Sequence, residues 1–136
     1  MGRIMAIDFG TKRMGIAVTD PLKMIANGLE TIEADNIIVF LEGYLKKEEV
    51  ECVVVGNPNS NGRGGDMTQR ADDFCKKIEE KFPLLKIARI DEFYTSKLAQ
   101  RVVIESGINK TARRDKALVD KLSATIILQS YLELNK

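Results

Sequence analysis

Residues 52–56 read Cys-Val-Val-Val-Gly, a continuous apolar, largely β-branched run with no side chain suited to solvent. A strand of this kind must be covered on both faces, which is the situation of a parallel strand inside an α/β sheet. The chain therefore needs helices above and below this run and strands on either side of it. Its 136 residues suffice for one domain with a core that needs no disulfide or metal staple, so residues 1–136 are expected to form a single unit.

The neighbours are legible in the pattern. "RIMAIDF", residues 3–9, and "MGIAVT", residues 14–19, are short strands separated by Gly10–Arg13, a hairpin. A third strand over about 27–32 extends the meander. Asp35 is placed to cap a helix whose apolar residues Ile37, Phe40, Leu41, Tyr44 and Leu45 recur at helical spacing. After the 52–56 strand comes one long turn-rich loop, "GNPNSNGRGG", and then a helix marked by Met67, Ala71, Phe74, Ile78 and Phe82 that stops before Pro83. "LLKIARI", residues 84–90, is another strand. Thr95 or Ser96 can cap a helix running to Gly107, and the basic loop "INKTARRD" leads to a last helix over roughly 116–134. This order predicts an α/β fold: a five-stranded mixed sheet, its first three strands antiparallel and its later strands parallel, with helices on both faces.

Composition limits the chemistry. There is no histidine, which removes Ser-His and Cys-His nucleophiles and the commonest zinc ligand together. Cys52 and Cys75 lack metal-ligand spacing and read as reduced core residues. No apolar run approaches the length of a membrane span and no signal-peptide pattern opens the chain, so a cytoplasmic location is expected. The net charge of +1 hides an asymmetry: residues 28–51 carry seven acids against two lysines, while residues 97–121 carry seven Lys or Arg against three acids. A nearly neutral chain with one basic end can present a face to a polyanion, and two ordinary solvated helix surfaces would give the same counts.

Carboxylates stand at three places in the predicted elements. Asp8 closes the first strand, Asp91 and Glu92 close a later one, and Asp120 heads an apolar stripe of the last helix with Ala117, Ala124, Ile127 and Tyr131. Ligands of open α/β sheets gather at carboxyl strand ends. Asp8 is there either as a turn residue or as the first ligand of an acidic site. Asp120 is costly to bury unless paired, by Arg113 or Arg114 or by a cation. Converging carboxylates repel one another and need cations, and oxygen-only ligands favour Mg²⁺ or Mn²⁺. Two such ions suit in-line phosphodiester displacement, which is nuclease chemistry.

Four segments in order, "MAIDFGTKRMGIAVTD", "GNPNSNG", "IDEFYTS" and "VDKLSATIILQSYL", give a specific resemblance covering nearly the whole chain. The sequence resembles the YqgF family of pre-16S rRNA processing nucleases, also described as Holliday junction resolvases with an RNase H-like fold. The resemblance implies a metal-dependent nuclease acting on structured nucleic acid, with processing of the 5′ end of precursor 16S rRNA ahead of cleavage of branched DNA. It implies Asp8, Glu92 and Asp120 as the catalytic and metal-holding acids, and motif position favours Glu92 over Asp91. One departure matters: the family carries an arginine directly after the Asp-Glu pair, where this chain has Phe93 followed by Tyr94. Arg89 and Arg101 are the candidates to replace it.

The phosphate contacts expected of such an enzyme fall on Gly10, Thr11 and Lys12 of the hairpin, Arg63 of the long loop, and Lys110, Arg113 and Arg114 before the last helix. Gly10 and Gly15 also serve the hairpin itself, one for the tight turn and one for close backbone approach. Two rival functions are open. "DFGTKRMGIAV" also resembles the first phosphate loop of sugar kinases, actin and Hsp70-type ATPases, but those enclose ATP between two such domains and 136 residues supply one. The other rival is a non-catalytic nucleic-acid-binding module, which the missing arginine keeps in play. A terminal trimming nuclease can act as a monomer, whereas a symmetric junction resolvase requires a homodimer.

Overall fold

A computed structural model of the chain describes residues 2–23, 25–57, 65–91 and 116–134. Strands β1 (Arg3–Asp8), β2 (Arg13–Thr19), β3 (Ala26–Glu33), β4 (Val50–Asn57) and β5 (Lys86–Asp91) form one sheet in the order β3-β2-β1-β4-β5. β1 pairs antiparallel with β2 and β2 with β3, while β1–β4 and β4–β5 are parallel. The expected mixed sheet is therefore present, with β4 inside it. Cys52 to Val55 are nearly inaccessible, as their sequence requires.

Helices α1 (Ile37–Lys47) and α2 (Gly65–Lys81) share one core with the sheet, and α3 (Lys116–Leu134) another. Strand alternation divides the side chains between the two faces. Met5, Ile7, Ile16, Val53 and Val55 pack with Ile37, Leu41, Phe74 and Ile78 on the α1/α2 side. Ile4, Ala6, Ala17, Cys52, Val54 and Ile90 pack with Ala124, Ile127 and Leu128 on the α3 side. The α3 face of the sheet is lined by smaller residues, which lets that single helix lie close across the strands. Burial pushes the Cys52 and Cys75 thiols above their ordinary range, so both stay neutral core groups at neutral pH.

Two expectations are revised. Asp35 does not cap α1: residues Ala34–Asn36 form a 3₁₀ turn, the Ile37 N–H bonds the Ala34 carbonyl, and no side chain caps the helix. The tighter turn uses backbone bonds where a side-chain cap was expected. β5 begins two residues later than the apolar run, because Pro83 turns the chain, the Leu85 N–H bonds the Phe82 carbonyl at 3.0 Å, and Leu84 points fully into solvent. The helix predicted over 95–107 and residues 58–64 of the loop expected over 56–65 lie outside the described residues; β4 runs on to Asn57 and α2 starts at Gly65.

The amino-terminal end of the sheet is closed by Thr19. Pairing of β1 with β2 starts at Met5 and Val18, leaving the buried Ile4 N–H to the Thr19 hydroxyl, which accepts at 2.9 Å. Thr19→Val keeps the shape and orphans that N–H. A loss of about 1–3 kcal/mol in urea unfolding is the expected result.

Candidate active site

Asp8 is the last residue of β1, between Ile7 and Phe9. Both neighbours are committed to the α1/α2 core: Ile7 is fully buried there, and the Phe9 ring packs on Phe74 with centroids 5.4 Å apart. Alternation then carries the Asp8 side chain to the α3 side, two residues beyond Ala6. The carboxylate is half-buried at the carboxyl end of the strand, next to the parallel pair β1–β4. Across β2 its register partner is Gly15.

The hairpin beyond Asp8 is held at both ends. A Cβ at position 10 would overlap the Arg13 carbonyl oxygen, so glycine is required by that approach. The Lys12 carbonyl accepts from the Ala34 N–H at 2.9 Å, which ties the turn to the end of β3. Thr11 and Lys12 are exposed while their backbone is anchored. Gly10, Thr11 and Lys12 thus stand at the same edge of the sheet as Asp8.

Tyr131, near the carboxyl end of helix α3, has its hydroxyl 3.9 Å from the Cys52 sulfur, and Cys52 lies early in β4, level with Ile4. The helix packs across β2, β3 and β1, and its first turns contain Asp120. Asp120 is in the helix, as expected; its side chain and all of Glu92, Arg63, Arg101, Lys110, Arg113 and Arg114 lie outside what is described. Among the described residues no three His, Cys, Asp or Glu side chains gather as a metal site.

Arg89 does not replace the missing family arginine. It alternates with Ala88 and Ile90, which face α3, and its Nη1 donates to Asp72 Oδ1 of α2 at 2.8 Å. Its guanidinium is on the far side of the sheet from Asp8. Sequence alone did not reveal this, because the face depends on a strand register that shifts with each residue of boundary.

Comparison with known proteins gives a consistent answer. The family model described as "RuvX: Holliday junction resolvase" matches residues 2–134. A protein of Christiangramia forsetii named "Putative pre-16S rRNA nuclease" is 50% identical over 97% of this chain and 98% of its own length. A Porphyromonas gingivalis protein of the same name is 48% identical over 98% of this chain and 97% of its own. Among solved structures, Thermus thermophilus RuvC in complex with a Holliday junction substrate superposes with a TM-score of 0.63 at 17% identity, over 98% of this chain and 96% of that one. At that identity the likeness bears on the fold, which is RNase H-like.

Proposed function

Because the chain belongs to the RuvX family of Holliday junction resolvases, we propose that it is a divalent-cation-dependent nuclease that hydrolyses phosphodiester bonds in precursor 16S rRNA. The observation that carries this reading is the placement of Asp8: a half-buried carboxylate forced to the α3 side at the carboxyl edge of the sheet, beside an anchored, lysine-bearing hairpin. The name shared by relatives about half identical to this chain favours rRNA.

Glu92 and Asp120 complete the acidic set in this proposal. Motif position favours Glu92 over Asp91. Helix length is compatible with Asp120: from Tyr131 back to Asp120 the helix rises about 16 Å, against the roughly 13 Å that β1 covers from Ile4 to Asp8, so a helix running along β1 would bring position 120 to the Asp8 edge. The donor set is all oxygen, which fits Mg²⁺ or Mn²⁺. When bound, a pair of such ions would activate water and stabilise the departing oxygen. Asp8, Glu92 and Asp120 would hold them. The backbone of Gly10 and Thr11 and the cations of Lys12, Arg63, Lys110, Arg113 and Arg114 would hold the phosphates on either side of the scissile bond, with affinity that falls as salt rises. The whole chain acts as one domain, in the cytoplasm, and no described helix is long and apolar enough to cross a membrane.

Branched DNA is the second reading, favoured by the description of the family model. It requires a homodimer to cut two strands symmetrically, while rRNA trimming is satisfied by a monomer. Labelled precursor 16S rRNA and four-way DNA junctions, incubated with Mg²⁺, Mn²⁺ or chelator, separate the alternatives. Cleavage of the rRNA precursor that disappears with chelator is the expected result. Cutting of the junction alone moves the substrate to DNA, and binding of either without cutting under every metal condition overturns the nuclease.

A further inference from the structure

Gly43 sits in the middle of α1, although glycine is the poorest helix former apart from proline. The fold does not require it: a Cβ at position 43 would meet nothing within 4 Å, whereas one at Gly2 or Gly10 would strike backbone. Val39, one turn earlier on the same face, is a large apolar side chain left 69% exposed. The opposite face of α1 is already committed, with Ile37 and Leu41 buried against the sheet. The helix therefore turns to solvent an apolar projection and, beside it, an open surface that carries no side chain.

The charges along this face are divided by position. Asp35 and Asn36 stand just before the helix, Lys46 and Lys47 in its last turn, and all four are exposed. Glu42 is engaged by Lys81 at 2.9 Å, while Asp35 and Lys47 enter no ion pair among the described residues. Turned end over end, such a face is complementary to itself. In an antiparallel pair centred midway between positions 39 and 43, Val39 of each copy lies over Gly43 of the other. The same register sets Lys47 against Asp35 and Lys46 against Asn36, because the members of each pair are equidistant from that centre.

We propose that the outer face of α1 is a homodimer interface, in which Val39 of each copy is seated on Gly43 of the other and Lys47 pairs with Asp35. The missing side chain at position 43 lets the two helices approach closely enough to cover Val39. A patch confined to one helix falls below the roughly 1,200 Å² of a standard stable interface, so the dimer is weak and dissociates in a dilute unfolding experiment. Helix α1 packs on the face of the sheet opposite to α3, so pairing through it leaves the Asp8 side of both copies uncovered. The inference does not depend on the nuclease reading.

The test is sedimentation velocity of the full chain at low salt, from roughly 10 µM to about 1 mM. The wild type passes from monomer to dimer within that range, and added salt weakens the association. Gly43→Gln fills the open surface without reaching the chain's own core, and Val39→Glu places a charge where the apolar contact was; each acts twice in a two-fold interface. Either raises the dissociation constant by about tenfold or more, while circular dichroism shows the monomer still folded. Asp35→Lys and Lys47→Glu each weaken association, and the double variant restores it, which a loss of fold cannot do. A chain that is monomeric at every concentration overturns the inference, as does a dimer whose dissociation constant neither Gly43→Gln nor Val39→Glu moves. A double charge variant no stronger than the single ones overturns the pairing of Lys47 with Asp35.

Discussion

Asp8→Asn abolishes cleavage while the protein stays folded and still binds its nucleic acid. The substitution is isosteric at a half-buried strand end, so it removes the charge with little change of shape. A catalytic cation contributes several kcal/mol to the transition state and each 1.4 kcal/mol is tenfold, so turnover falls by about 10³-fold or more. Binding is carried chiefly by Lys and Arg contacts to phosphates and changes far less. If Glu92 and Asp120 converge on Asp8 as proposed, the charge repulsion relieved by the substitution favours the metal-free fold. With metal, the wild type gains about 2.7 kcal/mol at a hundredfold excess over its dissociation constant, and the variant loses that gain. Gel-shift, cleavage and melting measurements on the one variant separate these effects. Cleavage retained in Asp8→Asn would assign the chemistry elsewhere.

Ile127→Ala is expected to have the largest effect on stability. Ile127 is almost inaccessible in the core between α3 and the sheet, where Ile4, Val54 and Ile90 meet Ala124 and Leu128. Truncation removes buried methyl and methylene groups and leaves a cavity that a close-packed helix cannot collapse, a loss of about 2–5 kcal/mol. That is a large share of the roughly 5–15 kcal/mol available to a domain. The same loosening frees the helix that carries Asp120, so with Asp120 in the proposed site cleavage falls faster on warming than in the wild type. Val39→Ala, at a position of α1 that is 69% exposed, stays within about 0.5 kcal/mol. Urea unfolding of the two variants makes the comparison.

What could be read from the sequence follows from how local each signal is. The β4 run needed only its own residues to announce a strand covered twice. The hairpin needed its turn and two apolar runs, and α1 and α2 their periodicity. Asp35 misled because a cap and a 3₁₀ turn use the same residue types, and the choice depends on where β3 ends. Arg89 misled because an arginine near a motif carries no label for its face, and that face is set by pairing along the whole of β4 and β5. Asp8 was legible as a candidate since it broke an apolar run. Its orientation was not, until Ile7 and Phe9 were seen to occupy the opposite core. Gly15 could be assigned opposite Asp8 only once both strand ends were fixed to the residue.

Anomalous scattering from crystals grown with Mn²⁺ tests directly whether Asp8, Glu92 and Asp120 hold one cation site at the edge of the sheet. A peak coordinated by the carboxylates of all three residues, absent from crystals of Asp8→Asn, is the expected result. Manganese bound elsewhere, or Glu92 and Asp120 carboxylates turned away from Asp8 in its presence, would contradict it.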